Sequence, residues 1–207
     1  MLVKDGYFIL EAAGGESAWS DDGIWEGDEF IDTSKDEWKG RVLKDPYTLV
    51  KSTPLRDYLY ASPYRCVSEK AYALIAANLN MWSEIQWTKI RVMDRRKRHL
   101  ADYWWLKCNI FGGLKALDLQ HSKYTVYAPH QVVQPGAVVV KNVEDWVLDS
   151  RVIGDLDWYH GDKVKWFVSP KAKNLIETHN LTGFMFTPVD VWTYDDSETA
   201  GVAGGQI

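Results

Sequence analysis

The chain has 207 residues, of which 24 are Lys or Arg and 29 Asp or Glu, giving a net charge of −5 with 46% hydrophobic residues; this suits one folded unit with a sizeable core and argues against a polycation built for nucleic acid. No stretch is long and apolar enough to span a membrane, and the start, Met1-Leu2-Val3-Lys4-Asp5, lacks a basic segment followed by a long apolar run, so a soluble, cytoplasmic protein is expected. Eleven Trp and eleven Tyr put weight on aromatic cores and aromatic recognition surfaces.

In chain order, the first pronounced feature is acidic. Between Glu11 and Glu37 ten carboxylates face the single Lys35, and Trp19, Trp25, Phe30 and Trp38 are spaced among them. A solvated acidic face is the plain reading. The sharper one is a docking surface for a basic partner, contacted through Trp19, Asp21, Asp22, Trp25, Glu26, Asp28 and Glu29, where charge speeds encounter and aromatics anchor. Residues 1–45 are accordingly read as an acidic, Trp-bearing N-terminal segment, 46–197 as an α+β domain, and 198–207 as a flexible tail.

The next elements are written twice. Val67-Ser68-Glu69-Lys70-Ala71-Tyr72-Ala73-Leu74-Ile75 recurs 101 residues later as Val168-Ser169-Pro170-Lys171-Ala172-Lys173-Asn174-Leu175-Ile176, with six of nine positions identical. Each copy is followed by aromatic-Thr-x-aliphatic-x-Val, from Trp87 to Val92 and from Phe186 to Val191. Physically each copy reads as strand, capped helix, strand. Ser68 and Ser169 are natural N-caps, and Pro170 falls at the first helical position, where its missing N–H costs nothing. Ala71, Leu74 and Ile75, and likewise Ala172, Leu175 and Ile176, share one helical stripe that should face a sheet. Asn180 and Gly183 supply breaks before the second copy's last strand, which carries Pro188 near an edge. The expected fold is therefore α+β, a mixed or antiparallel sheet with helices built around two related strand-helix-strand units.

Between the copies lies a basic run, Lys89 to Arg98, with Lys89, Arg91, Arg95, Arg96, Lys97 and Arg98 against Asp94. It reads as a hairpin-like connection, solvated or paired with the acidic segment. Further strands are expected at Tyr103–Asn109, Lys123–Tyr127 and Val138–Val140. Cys66 and Cys108 sit in apolar, strand-like surroundings and read as buried thiols. No phosphate-binding loop, nucleophile elbow, zinc-protease helix or paired-cysteine motif occurs, and the five histidines are scattered. Asp149, Asp155 and Asp157 lack the pattern of a calcium loop and read as turn and capping residues. No catalytic residue, metal site or cofactor is expected.

Four segments, Ala116-Leu117-Asp118-Leu119-Gln120-His121-Ser122, Trp146 to Gly154, Trp166 to Lys171 and Leu181 to Val189, make the region from about Pro63 to Trp192 resemble a family of bacterial immunity proteins, the Myxococcus-type immunity domain (Imm11, DUF1629). The resemblance implies a protein encoded beside a polymorphic or secretion-system toxin that protects the cell by binding that toxin, without catalysis. It also leaves the acidic N-terminal segment as the candidate for partner-specific contact. The alternatives are a hydrolytic enzyme that reverses a toxin's product and a nucleic-acid-binding module using the 89–98 loop; self-association is open.

Overall fold

A computed structural model describes residues 1–13, 24–26, 47–50, 55–61, 64–94, 96, 98–108, 116–128, 139–161 and 165–194. These form three sheets and three short helices, mainly antiparallel and α+β in class. The strands are β1 (Leu2–Ala12), β2 (Ile24–Glu26), β3 (Tyr47–Val50), β4 (Tyr58–Ala61), β5 (Tyr64–Ser68), β6 (Ile85–Met93), β7 (His99–Cys108), β8 (Lys123–Val126), β9 (Val140–Asp145), β10 (Val147–Asp149), β11 (Trp158–His160), β12 (Trp166–Val168) and β13 (Phe184–Trp192). The helices are α1 (Glu69–Asn78), α2 (Ser150–Ile153) and α3 (Pro170–Thr178).

The two longer helices form for the local reasons visible in the sequence. Ser68 Oγ accepts the Ala71 N–H and Ser169 Oγ accepts the Ala172 N–H, both at 3.1 Å, and Pro170 occupies the first turn of α3. Ala71, Ile75, Ala172 and Ile176 are essentially inaccessible, whereas Leu74 and Leu175 are only half-buried. Helix α1 ends at Leu79, in extended backbone; α3 ends through His179 and Asn180, the latter in the left-handed region at φ 51°. Gly183 then takes φ 91°, and a Cβ there would lie 2.4 Å from the Tyr58 carbonyl oxygen, so both backbone and space demand glycine.

The six-stranded sheet has the order β2-β3-β6-β7-β5-β4 and the five-stranded sheet the order β10-β13-β1-β12-β11. Strand for strand, from β3 to β4 the order and direction of the first match the second, with β1 standing where β7 stands although it comes first in the chain. Thus β3 runs parallel to β6 as β10 does to β13, and β5 and β6 flank β7 antiparallel as β12 and β13 flank β1. Tyr103 on β7 donates its hydroxyl to the Arg56 carbonyl at 2.6 Å, and Tyr7 on β1 donates to the Leu156 carbonyl. Burial pushes both phenols up to about 12.

Both helices lie on a shared core. Val67 and Leu106 from one sheet, Leu10, Trp166 and Val168 from the other, and Ala71, Ile75, Ala172 and Ile176 from the helices pack into one cluster. The opposite faces have their own smaller cores, with Tyr7, Ile9, Leu148, Phe167 and Val191 behind the five-stranded sheet and Cys66, Ile90, Val92 and Trp105 behind the six-stranded one. The strict alternation Val67/Cys66 and Leu10/Ile9 is what two-faced burial of a strand requires.

The helix ends are lashed reciprocally. Asp57 accepts the Ser68 hydroxyl (2.7 Å) and, with its other oxygen, the Thr182 N–H beyond α3 (2.8 Å). Asp157 accepts the Ser169 hydroxyl (2.6 Å) and the Asn80 N–H beyond α1 (2.8 Å), and is further paired with Lys171. Each carboxylate so ties its own helix start to the other helix's exit. Burial raises both carboxyls, but these hydrogen bonds outweigh it and hold both below the usual carboxylate value.

Several expectations change in the structure. Residues 2–12, assigned to a separate acidic segment, form the middle strand of the five-stranded sheet, because Tyr7-Phe8-Ile9-Leu10 carries apolar side chains for both faces. Strand β9 runs from Val140 to Asp145, so of the expected strand Val138–Val140 only its last residue falls in β9; Val138 lies outside the described residues. Pro188 pairs with Phe8 on one side, and β10 covers β13 only from Asp190 onward, which leaves its missing N–H without consequence. The 94–98 connection joins β6 and β7 as a hairpin, as expected. Asp94 accepts the Arg98 Nε at 2.7 Å, and Lys89 pairs with Asp102 at 3.0 Å. Cys66 is buried, as expected; the Cys108 side chain and residues 198–207 lie outside the described residues. No described helix is long and apolar enough to cross a membrane.

Candidate functional site

At the end of the five-stranded sheet where β10, β13 and β1 meet, two loops and a strand end converge on a polar and aromatic cluster. The turn 118–122 is folded by Asp118, whose Oδ1 accepts the backbone N–H groups of Gln120 (2.9 Å) and His121 (3.2 Å). Its Oδ2 accepts the His121 ring at 2.9 Å and the Tyr194 hydroxyl at 2.7 Å. Ser122 fixes this turn to β10, donating to the Val147 carbonyl and accepting the Val147 N–H. Asp118 is 4% exposed. Burial raises its carboxyl, yet the bonds from Tyr194, His121 and Gln120 prevail and keep it below its ordinary value; burial and that carboxylate together push the Tyr194 phenol up to about 12.

Asp149 is the N-cap of α2, accepting the Arg151 N–H at 2.9 Å. The same side chain grips the Arg151 guanidinium through Nε (3.0 Å) and Nη2 (2.6 Å), a fork that raises the Arg151 pKa further. That guanidinium lies 3.5 Å over the Tyr194 ring, while the His121 ring stacks on Trp192 with centroids 3.5 Å apart and planes inclined by 12°. Trp192 and Tyr194 meet edge to face. Six side chains from three segments are thus held in one rigid arrangement.

Chemically the cluster offers a His-Asp pair without a nucleophile, because the Ser122 hydroxyl is spent in both directions on Val147. Among the described residues no group of three or more His, Cys, Asp or Glu side chains is placed to hold a metal ion. What the cluster does present is an ordered Arg, Tyr, Trp and His face, the residue types that dominate protein–protein contacts. A second polar area, an open groove of about 480 Å³ beside the start of α1, is lined by Glu69, Lys89, His99 and Asp102 among others. Its charges are mutually paired: Lys89 with Asp102 and Glu69, and His99 with Asp102.

Sequence reasoning placed Asp149 correctly as a cap and took His121 for a loop residue, missing the cluster. The available signals were the spacings Asp118-x-x-His121, Asp149-x-Arg151 and Trp192-x-Tyr194. Of the partner-contact residues expected in the acidic segment, only Trp25 and Glu26 fall among the described ones, on the backbone of β2, an outer strand where Trp25 registers with Leu49. Trp19, Asp21, Asp22, Asp28 and Glu29 lie outside the described residues.

Fold and cluster together define a mainly antiparallel α+β protein with a preformed aromatic and arginine face. The family model of the immunity protein family Imm11 matches residues 32–191, and the chain belongs to that family. Comparison with curated proteins finds no match.

Proposed function

We propose that the protein is a cytoplasmic immunity protein of a polymorphic or secretion-system toxin pair, and that it neutralises its cognate toxin by stoichiometric binding and not by turnover. Family membership carries this reading. The commitment of Ser122 beside the His121 and Asp118 pair supports occupancy over hydrolysis. Titration of the toxin domain encoded beside the gene should reach full inhibition at about one molecule per toxin. Protection of a large toxin excess by trace protein would replace binding with an enzyme.

On this reading the two strand-helix-strand units arose by duplication. Support comes from the shared strand order and direction, the paired caps Ser68 and Ser169, and the matched bonds of Tyr103 to Arg56 and Tyr7 to Leu156. Two copies of a scaffold explain why its repeated serines are structural. Residues 46–197 would then form the immunity-type domain, completed by β1, and the acidic segment would steer a basic region of the toxin toward it. Neutralising Asp21, Asp22, Glu26, Asp28 and Glu29 together should slow association at low ionic strength and flatten its salt dependence. An unchanged rate constant would take that segment, with Trp19 and Trp25, out of the interface.

A further inference from the structure

We propose that the outward face of the Asp118, Arg151 and Tyr194 cluster is the anchor point for the toxin, and that the toxin brings to it a carboxylate flanked by apolar side chains. The inference rests on the immunity reading and adds to it a place and a chemistry.

Depth fixes the sign of charge on offer. The side chains of Asp118 and Asp149 are 2% and 11% exposed, whereas those of His121 and Arg151 above them are 23% and 40% exposed. The acids are the more buried and the guanidinium the more exposed, so what solvent meets at this spot is a cationic hydrogen-bond donor, with the two carboxylates beneath it. The complement of such a spot is an anion. Because Nε and Nη2 of Arg151 are both held by Asp149, the fork directs the remaining Nη1 edge away from that carboxylate.

Arg151 is also preorganised. Asp149 grips it in the plane and Tyr194 supports its face, so the freezing of an exposed arginine that ordinarily weakens an interface has been accomplished before the partner arrives. A helix cap would need only the Arg151 backbone N–H; the stacked guanidinium is in excess of what capping requires.

Finally, the rim is apolar. Leu119 and Val152, next to the cluster in sequence, are 43% and 38% exposed, and Leu2 and Val3, 40% and 36% exposed, register on β13 with Trp192 and Val191. A fixed cation ringed by exposed aliphatic groups matches the arrangement in which a central charge pair is sheltered from water by contacts of little energy themselves.

The test uses the whole protein and the toxin domain encoded beside the gene, with affinity measured by calorimetric titration. Arg151→Gln, which keeps length but removes charge, and Val152→Glu, which sets an anion at the rim, should each weaken binding at least tenfold with thermal melts still cooperative. Leu100→Glu, at a site 44% exposed on β7, is the control and should bind as the parent does. Parent-like affinity in Arg151→Gln and Val152→Glu would overturn the proposal while leaving the immunity reading intact. Failure of the unaltered protein to bind or protect would instead remove the immunity reading and the proposal with it. Self-association of the unaltered protein, abolished by Val152→Glu without effect on toxin binding, would assign the face to a second copy and refute it.

Discussion

Asp57 and Asp157 perform the same operation in different surroundings, and that difference can be measured. Replacing Asp157 by Ala strips the Ser169 hydroxyl and the Asn80 N–H of their acceptor in a site where the aspartate side chain is only 8% exposed. Two charge-assisted hydrogen bonds at about 1.5–3 kcal/mol each give a loss of about 3–6 kcal/mol. Lys171 adds little because it is 62% exposed. Asp57 makes the corresponding bonds to Ser68 and Thr182 at a half-buried position where water can replace them, so Asp57→Ala should cost about 1–2 kcal/mol. At about 2–4 °C per kcal/mol for a chain of this size, the melting temperature should fall by roughly 10 °C in the first variant and about 5 °C in the second. Urea unfolding of both variants at neutral pH is the assay, followed by the same series in acid. Both carboxyls sit below their ordinary value in the folded protein, so the unfolded chain takes up protons first as pH falls. Their stabilisation is fully present above about pH 4 and is lost below it as the folded-state values are crossed, and Asp157→Asn should flatten that acid limb. Equal losses for the two alanine variants would refute burial as the source of the difference.

Ser68→Ala and Ser169→Ala should each lose about 0.5–2 kcal/mol, the buried Ser169 the more, without affecting toxin inhibition of the folded protein; denaturant melts beside an inhibition titration check this. Burial, with Arg65 nearby, lowers His160 from 6.5 to about 4, so its neutral form is favoured in the fold. Stability should decline as pH drops from about 6.5 to 4, by about 3 kcal/mol in all, and His160→Phe should remove that slope in pH-dependent urea melts. Gly183→Ala forces a Cβ against the Tyr58 carbonyl at a positive φ and should cost more than about 2 kcal/mol by thermal melt, the largest loss expected of a single methyl group here.

What the sequence made legible was local. A serine followed by Pro170 or Glu69 and an i, i+3, i+4 apolar stripe specifies a capped helix from within ten residues, and both helices occur there. The breaks at Asn180 and Gly183 have equally local causes in positive φ. What could not be read were the partnerships. Strand β11 is three residues long, Trp158 to His160, and has no periodicity to detect; it exists because Trp166 to Val168 lies beside it. The same holds for the site. Asp118 and Tyr194 are 76 residues apart, and nothing local to either says that one will bond the other. Only three short spacings, Asp118 to His121, Asp149 to Arg151 and Trp192 to Tyr194, hinted at paired side chains, and without the sheet that aligns them they are indistinguishable from ordinary turns and strand ends.

Strand β1 has a consequence in time. In the six-stranded sheet the middle strand β7 follows β6 through a short hairpin, so that sheet can assemble as soon as its own stretch of chain exists. In the five-stranded sheet the middle strand is made first and its neighbours last: Met1 and Thr193, whose backbones bond at the open end of the β1/β13 pair, are 192 residues apart. During synthesis, Tyr7-Phe8-Ile9-Leu10 must therefore wait without its partners until β12 and β13 have been translated, and the closure of so long a loop makes this pairing the slow event. The Leu2 and Val3 edge and the Trp192 to Tyr194 end come together only at that closure. A chain interrupted before β13 lacks Trp192 and Tyr194 and so cannot assemble the cluster around Asp118.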